Sequence, residues 1–170
     1  FQRGLVPRFN ELGEIAPANL TLIDRGRLAN TLINSRTAKE YQKPANGANR
    51  GESLRSAEIS PGDLPLDRIL ECLDTGLYLS NLHYLNWSDR PTGRITGMTR
   101  YACFWVERGE IVAPIANLRF DESLCRCWGA NLLALTSTLE FIPDVDTYGS
   151  RQLGGSWVPG SLVKDFTYTL

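Results

Sequence analysis

Short stretches in which apolar and polar residues alternate, interrupted by Gly- and Pro-containing turns, recur along the chain. In residues 20–33 two apolar, β-branched runs flank a turn that contains Gly26, which predicts a hairpin. Residues 77–87 and 94–106 are predicted to form two longer strands joined by a turn at residues 89–93. The pattern therefore indicates a chain in which strands outnumber helices.

A second hairpin is predicted at Gly109, where residues 110–115 return along the end of the strand 94–106. Both faces of that strand are largely apolar, which is typical of a central strand covered on both sides. One face carries Tyr101, Cys103 and Trp105, and the other carries Ala102, Phe104 and Val106. Shorter strands are predicted at residues 140–142, 157–163 and 166–170.

Three short helices are predicted from capping residues and from the 3.6-residue apolar period. Ser35 is expected to cap a helix that runs to about Tyr41. Asp63 is expected to begin a helix that Gly76 ends, and Asp121 to begin another. The apolar faces of the last two are Leu66, Ile69, Leu70 and Leu73, and then Leu124, Cys127, Trp128, Leu132 and Leu135.

The polar, Gly-rich stretch 42–56 is predicted to be a surface loop, which is either a ligand-contacting loop or a tether. No internal repeat and no long linker divides the chain. The expectation is one α+β domain over residues 1–170, rich in strand, with a mixed or antiparallel sheet and two to three short helices.

Charge and composition narrow the functional classes. Eighteen Lys and Arg oppose 19 Asp and Glu, so the formal net charge is −1. This balance argues against bulk electrostatic attraction to nucleic acid or to an anionic membrane, and we expect neither as a direct partner. No apolar run approaches the roughly 18 residues of a membrane helix. The chain opens on Phe1 without an initiator Met, and we expect an upstream part of the protein to be missing.

His83 is the single histidine, so this chain alone cannot carry out a catalytic mechanism that needs two imidazoles. With Cys72, Cys125 and Cys127 it offers zinc-type ligands, but two cysteines at i and i+2 on a helix point away from each other. A nucleophilic pair of His83 with Cys103 or Cys72 lacks local support, and buried strand cysteines are usually inert. We expect reduced thiols in a cytoplasmic protein.

The remaining charged groups have plain structural interpretations. Asp144 and Asp146 could bind a cation, but a turn stabilised by their side chains is favoured. Arg90, Arg94 and Arg100, near Trp87 and Tyr84, could hold single-stranded nucleic acid; a solvated or cation–π-paired face is favoured. We assign no catalytic, cofactor-binding or metal-binding residue, and the roles of His83 and Cys103 stay open.

Four stretches read GLY at residues 76–78, NWSDR at 86–90, RITGMTR at 94–100 and FWVERGEIVAP at 104–114. An Asn/Gly loop, a Pro-Gly-Asp helix start and a hairpin motif follow one another along the chain. In these stretches and in this order of parts, the chain resembles the C-terminal domain of the TldD/PmbA family from about Leu20 to Leu170.

The resemblance implies a metallopeptidase system, also described as a modulator of DNA gyrase, whose two related subunits form a heterodimer. In the metal-bearing subunit a His-Glu-x-x-x-His helix and a C-terminal Cys bind zinc. This chain has no such helix and no cysteine in residues 141–170. The resemblance therefore implies the PmbA-like subunit, with zinc only in a TldD-like partner or in an upstream region. The implied partners are that subunit, the protein's own N-terminal domain and an extended peptide; the alternative is a non-enzymatic interaction or regulatory domain.

Overall fold

The structure is a computed structural model that describes residues 6–145, 147–148 and 153–169. The chain forms two compact units. The first is Phe1–Ile59 with Phe141–Val158, and the second is Ser60–Glu140 with Pro159–Leu170. The predicted α+β class, rich in strand and poor in helix, is confirmed. That the chain is a single domain stays a prediction.

The described residues form twelve strands and a few short helices. In chain order the strands are β1 (Ile23–Asp24), β2 (Arg27–Leu28), β3 (Ser56–Glu58), β4 (Gly76–Leu79), β5 (Leu82–Asp89), β6 (Arg94–Thr99), β7 (Cys103–Glu107), β8 (Glu110–Pro114), β9 (Arg119–Ser123), β10 (Leu132–Pro143), β11 (Gly155–Val163) and β12 (Tyr168–Thr169). The helices are α1 (Ser35–Tyr41), a 3₁₀ turn (Leu66–Arg68), α2 (Ile69–Leu73) and a π-helical turn (Arg126–Ala130).

In the first unit the predicted hairpin is present, although β1 and β2 have only two residues each. Arg25 and Gly26 form its turn with φ of 48° and 77°, the left-handed pair that tight hairpin turns require. The predicted helix α1 is also present, but the capping residue is Asn34, not Ser35. The Asn34 side chain accepts hydrogen bonds from the backbone N–H groups of Arg36 and Thr37.

The stretch 42–56 is not a surface loop throughout, because Gly47 and Ala48 are buried. Gly47 has φ of 70°, and a Cβ there would lie 2.7 Å from the Cα of Ala16. Asn46 fixes the same stretch, since its side chain accepts from the N–H of Ile33 and donates to the carbonyl of Thr31. Glycine is therefore required here for close backbone packing.

The second unit contains two antiparallel sheets, with the orders β4-β7-β8 and β12-β9-β6-β5. In the first unit, residues 155–157 of β11 pair in parallel with residues 56–58 of β3. The predicted turns at residues 89–93 and at Gly109 are confirmed. β7 is the central strand of its sheet and buries Cys103 and Val106, but Trp105 is 38% exposed, so the predicted cover on both faces is only partly present.

The prediction of two long strands, at residues 77–87 and 94–106, is wrong. Each stretch is interrupted, and its two halves belong to different sheets. The interruptions face each other. The N–H of Arg100 donates to the carbonyl of Asn81, and the N–H of Ser80 donates to the carbonyl of Ala102. Tyr101 has φ of 65°, which ends the extended conformation after β6.

The helix predicted to begin at Asp121 is also wrong. Residues 119–123 form β9, in which Phe120 and Glu122 are buried, and Leu132 and Leu135 belong to β10. Only the short π-helical turn lies between them, and Gly129 leaves the helical region there with φ of −114° and ψ of −105°. Pairing of β9 with β6 on one side and β12 on the other outweighs the local helical pattern.

The helix predicted between Asp63 and Gly76 is shorter than expected. Its first turn is 3₁₀, Pro65 stands at the capping position without a side-chain cap, and α2 ends at Asp74 with φ of 54°. Gly76 is not its cap but the first residue of β4. Because no residue of α2 is fully buried, its apolar face is only partly covered.

Candidate functional site

The outermost strand of the four-stranded sheet, β5, carries large apolar side chains that face solvent. Its order in the sheet leaves one of its edges without a strand partner among the described residues. Leu82, Tyr84, Leu85 and Trp87 are all exposed, Tyr84 by 68% and Leu85 by 58%. An exposed strand edge with apolar side chains can pair with another extended chain. We call this surface the β5 edge.

A bulge shapes the β5 edge. His83 pairs with Met98 and Asn86 pairs with Thr96, so three steps along β5 oppose two along β6. Tyr84 lies in the bulge with φ of 51°, a conformation that bulky residues rarely adopt. The bulge therefore changes the direction in which the following side chains of the strand project.

Gly97 on β6 lets β5 approach at the bulge. A Cβ at Gly97 would lie 2.8 Å from the carbonyl oxygen of His83 and 2.7 Å from Cζ of Phe120. Phe120 is fully buried and packs edge-to-face against Phe166, with the ring centroids 5.3 Å apart. The glycine is thus required by packing on both sides of β6.

The guanidinium of Arg100 lies within cation–π distance of two tyrosine rings beside the β5 edge. Its Cζ is 5.5 Å from the ring centroid of Tyr84 and 5.6 Å from that of Tyr101. The His83 ring also contacts Tyr84, with the two ring centroids 4.5 Å apart. The backbone of Arg100 is fixed as well, since its N–H donates to the carbonyl of Asn81 at 3.1 Å. We call Arg100 with Tyr84 and Tyr101 the Arg100 cluster.

Charged groups on β9 stabilise the sheet behind the β5 edge. Arg94 pairs with Asp121, and hydrogen bonds from Ser88 and Arg94 hold the pKa of Asp121 below its usual range. Glu122 is 2% exposed and accepts from Nε of Arg126 at 2.9 Å, which with backbone hydrogen bonds lowers its pKa to about 2. These pairs fix β9 against its neighbours.

Glu122 also binds the end of the chain. Its Oε2 accepts from the N–H of Thr167 at 2.9 Å, and Arg126 donates to the hydroxyl of Thr167 at 2.6 Å and to the carbonyl of Asp165. Sequence reasoning missed Glu122 and Arg126. The signal was present, because Phe120 and Glu122 alternate along a strand and Glu and Arg stand four residues apart.

The cysteines are free thiols in the structure, with Cys72 and Cys125 exposed and Cys103 and Cys127 buried. Burial raises the pKa of the Cys127 thiol. Cys103 lies on β7 and the half-buried His83 on β5, so the two belong to different sheets. Within the described residues no three His, Cys, Asp or Glu side chains converge as a metal site would require. The donors in the described part of the chain therefore do not fit a zinc ion.

The other predicted groups are placed as follows. The N–H of Asp144 donates to the carbonyl of Gly154 at 3.0 Å, whereas Asp146 lies outside the described residues, so the Asp turn stays a prediction. Asp144 and Arg55 line a shallow pocket of about 510 Å³ in the first unit. Arg55 donates there to the carbonyl of Phe9 at 3.1 Å. Of the face predicted to be solvated or cation–π-paired, Arg100 makes a cation–π contact with Tyr84.

These features define a strand-rich α+β domain whose exposed, bulged strand edge is its main candidate binding surface. The family model described as "PmbA/TldA metallopeptidase C-terminal domain" matches residues 14–169. The chain belongs to this family, as the resemblance to TldD/PmbA proteins implied. The match does not distinguish the PmbA type from the TldD type.

Solved structures share the fold. TldE from Thermococcus kodakarensis superposes with a TM-score of 0.77 at 16% identity, covering 96% of this chain and 36% of that one. A candidate modulator of a DNA gyrase from Thermotoga maritima gives 0.74 at 16% identity, covering 96% and 35%. Another from Bacteroides thetaiotaomicron gives 0.65 at 18% identity, covering 95% and 32%. The chain thus spans about a third of the length of these structures.

A search of curated proteins by sequence finds no match. Among the helices of the described residues, none has the length and apolar character needed to cross a membrane.

Proposed function

We propose that this chain acts in a peptide-processing complex, in peptide degradation or maturation, as the C-terminal part of a PmbA/TldD-family protein. The observation that carries the proposal is the family match over residues 14–169 to a metallopeptidase C-terminal domain. The partners of the complex would be a TldD-like subunit and the protein's own N-terminal domain, and its location the cytoplasm.

Within that complex the chain is proposed to be the PmbA-like subunit, which has no zinc site of its own. Two features of the sequence support this: His83 is the single histidine, and residues 141–170 contain no cysteine. The described His, Cys, Asp and Glu side chains do not converge in threes, and we derive no catalytic step through zinc. Zinc would belong to the partner subunit or to an upstream region.

The β5 edge is the proposed wall of a peptide-holding groove. An extended peptide would pair with the open backbone edge of β5, and Tyr84, Leu85 and Trp87 would contact its side chains. Backbone hydrogen bonds make few demands on sequence, which suits a protein that handles varied peptides.

Fluorescence anisotropy of a labelled, unfolded peptide tests the proposal, with the 170-residue chain as titrant. We expect saturable binding that Leu85→Asp weakens. Val112→Asp is the matched control, because Val112 is 57% exposed on β8, an edge strand of the other sheet. Unchanged anisotropy at high protein concentration, or equal loss in both variants, would contradict the groove.

The alternative is a non-enzymatic interaction or regulatory domain, serving assembly or modulation of DNA gyrase. The descriptions of two neighbours as candidate gyrase modulators support it. Metal analysis of the encoded protein discriminates the two functions. Stoichiometric zinc with chelator-sensitive proteolysis supports an enzyme with its own metal; copurification with a His-Glu-x-x-x-His partner and no metal supports the accessory subunit.

A further inference from the structure

We propose that the Arg100 cluster is a carboxylate-recognition site, so that the peptide held on the β5 edge is an acidic one. The inference rests on the proposed function and makes it more specific, since it names the chemistry of the substrate class. A carboxylate of the peptide would bind the edge of the Arg100 guanidinium, while Tyr84 and Tyr101 hold that group in place.

Backbone conformation is the first argument. Tyr84 and Tyr101 come from different parts of the chain, and both have positive φ, 51° and 65°. This conformation is uncommon for bulky side chains and costs free energy, so it persists where the surrounding structure enforces it. The rings of the two unusual residues contact the same guanidinium. Strain of this kind concentrates at sites that position a group for a ligand.

Arg100 has no ion-pair partner in the described part of the chain. Four ion pairs occur among the described residues, and none of them includes Arg100. A cation–π contact with a ring does not use up the hydrogen-bonding capacity of a guanidinium, which has five N–H donors for a carboxylate. By contrast, Arg94, at the start of β6, is paired with Asp121. The described structure therefore holds Arg100 in place through aromatic rings without neutralising its charge.

Local charge is the third argument. Residues 76–106 contain three arginines and one acidic residue, Asp89, which accepts a hydrogen bond from the hydroxyl of Thr92. Because Arg94 is paired with Asp121, Arg90 and Arg100 against Asp89 leave this stretch a net charge of about +1, although the formal net charge of the chain is −1. A single fixed cation beside an apolar strand edge complements an extended peptide with one or two carboxylates. A nucleic acid would need a broad basic surface to bind its phosphates.

The test compares two labelled, end-capped peptides of β-forming sequence that differ only in Glu against Gln at one position. Anisotropy titrations use the 170-residue chain near pH 7. We expect the Glu peptide to bind about fivefold more tightly, the preference that one partly exposed ion pair provides. We expect the preference to shrink when NaCl rises from about 0.02 M to about 0.3 M.

Three variants locate the effect. Arg100→Gln should remove the preference for Glu while leaving the Gln peptide unaffected. Arg90→Gln, which removes the same charge from the turn at the other end of β6, should leave the preference intact. Tyr101→Ala keeps the charge but removes one ring, and should weaken binding of the Glu peptide about twofold. It also tests the site independently if Arg100→Gln does not fold.

Equal affinity for the Glu and Gln peptides overturns the proposed carboxylate site but does not contradict the proposed peptide groove. Equal losses in Arg90→Gln and Arg100→Gln overturn it too, because they indicate attraction to general charge. Binding of neither peptide overturns the groove and the site together. An oligothymidylate that binds more tightly than the Glu peptide, in a way that depends on Arg100, would overturn the acidic peptide as ligand and indicate a nucleic acid instead.

Discussion

The buried carboxylate of Glu122 should contribute to stability in a pH-dependent way. It accepts hydrogen bonds from Nε of Arg126 at 2.9 Å and from the N–H groups of Ser123 and Thr167 at 2.7 and 2.9 Å. Glu122→Gln keeps the shape of the side chain but removes its charge. We predict that this substitution lowers the free energy of unfolding near pH 7.

The magnitude follows from proton linkage. The hydrogen bond and charge of Arg126, with the backbone donors, lower the pKa of Glu122 from 4.5 to about 2. A lowered folded-state pKa stabilises the fold above the unfolded value, and this contribution is lost as pH falls from 4.5 towards 2. The difference corresponds to about 3 kcal/mol. Because Arg126 is 40% exposed, solvent screening reduces the expected loss to about 2 kcal/mol.

Urea unfolding followed by the fluorescence of the four tryptophans measures this loss. We expect Glu122→Gln to be less stable than the unsubstituted chain by about 2 kcal/mol near pH 7 and by much less near pH 2.5, where Glu122 of the unsubstituted chain starts to protonate. Glu107→Gln is the matched control. Glu107 is exposed at the end of β7, and its substitution should change stability by less than about 0.5 kcal/mol.

Two results would refute this reasoning. One is a Glu122→Gln variant as stable as Glu107→Gln near pH 7; the other is a deficit that stays constant down to pH 2.5. Arg126→Met gives an independent check, because it leaves the buried carboxylate without its cation and should cost at least as much stability as Glu122→Gln near pH 7. Its deficit should shrink on acidification, because protonation of Glu122 removes the charge that Arg126 no longer pairs.

Three further substitutions test packing and capping by the same unfolding measurement. Asn34→Ala removes the acceptor at the start of α1 and should cost about 1 kcal/mol, whereas Asn34→Asp should retain most of the stability. Gly97→Ala places a Cβ 2.7 Å from Cζ of the buried Phe120 and should cost about 1–3 kcal/mol. Thr99→Val leaves the N–H of Leu118 without the hydroxyl that it binds at 2.9 Å, and should cost about 1–3 kcal/mol.

Each of these has a contradicting outcome. An Asn34→Ala variant of unchanged helicity and stability would show that α1 is held by packing alone. Gly97→Ala without loss would mean that β5 or Phe120 moves aside easily. For Thr99→Val, stability equal to that of the unsubstituted chain would indicate that the N–H of Leu118 finds another acceptor.

Turns and the hairpins that they join could be predicted from the sequence, but strand partners distant in the chain could not. The wrong helix prediction after Asp121 arose where an apolar 3.6-residue period continued across a boundary between two strands. Leu132 and Leu135 fitted a helix after Asp121, yet they belong to β10, because pairing across β6, β9 and β12 buries Phe120 and Glu122 instead. Strand preference depends on cross-strand neighbours, which a single sequence does not display.

The candidate site shows the same limit. The sequence indicated only a solvated or cation–π-paired face of Arg90, Arg94 and Arg100 near Trp87 and Tyr84. In the structure Arg100 contacts the Tyr84 ring. The sequence did not indicate Tyr101 as the second ring, because an uninterrupted strand would have turned that side chain to the face of Cys103. The positive φ of Tyr101, visible only in the structure, brings its ring to Arg100.

The sequence by itself determined the strand-rich α+β class, the tight turns at Gly26 and Gly109, the helix α1 and the family. These depend on residues close together in the chain or on motifs that can be compared directly. Only the tertiary structure decided where the long strands break, which sheet each half joins and how Glu122 and Arg100 are surrounded. The physical reason is that strand pairing and burial join residues distant in sequence, and their combined free energy overrides local preference.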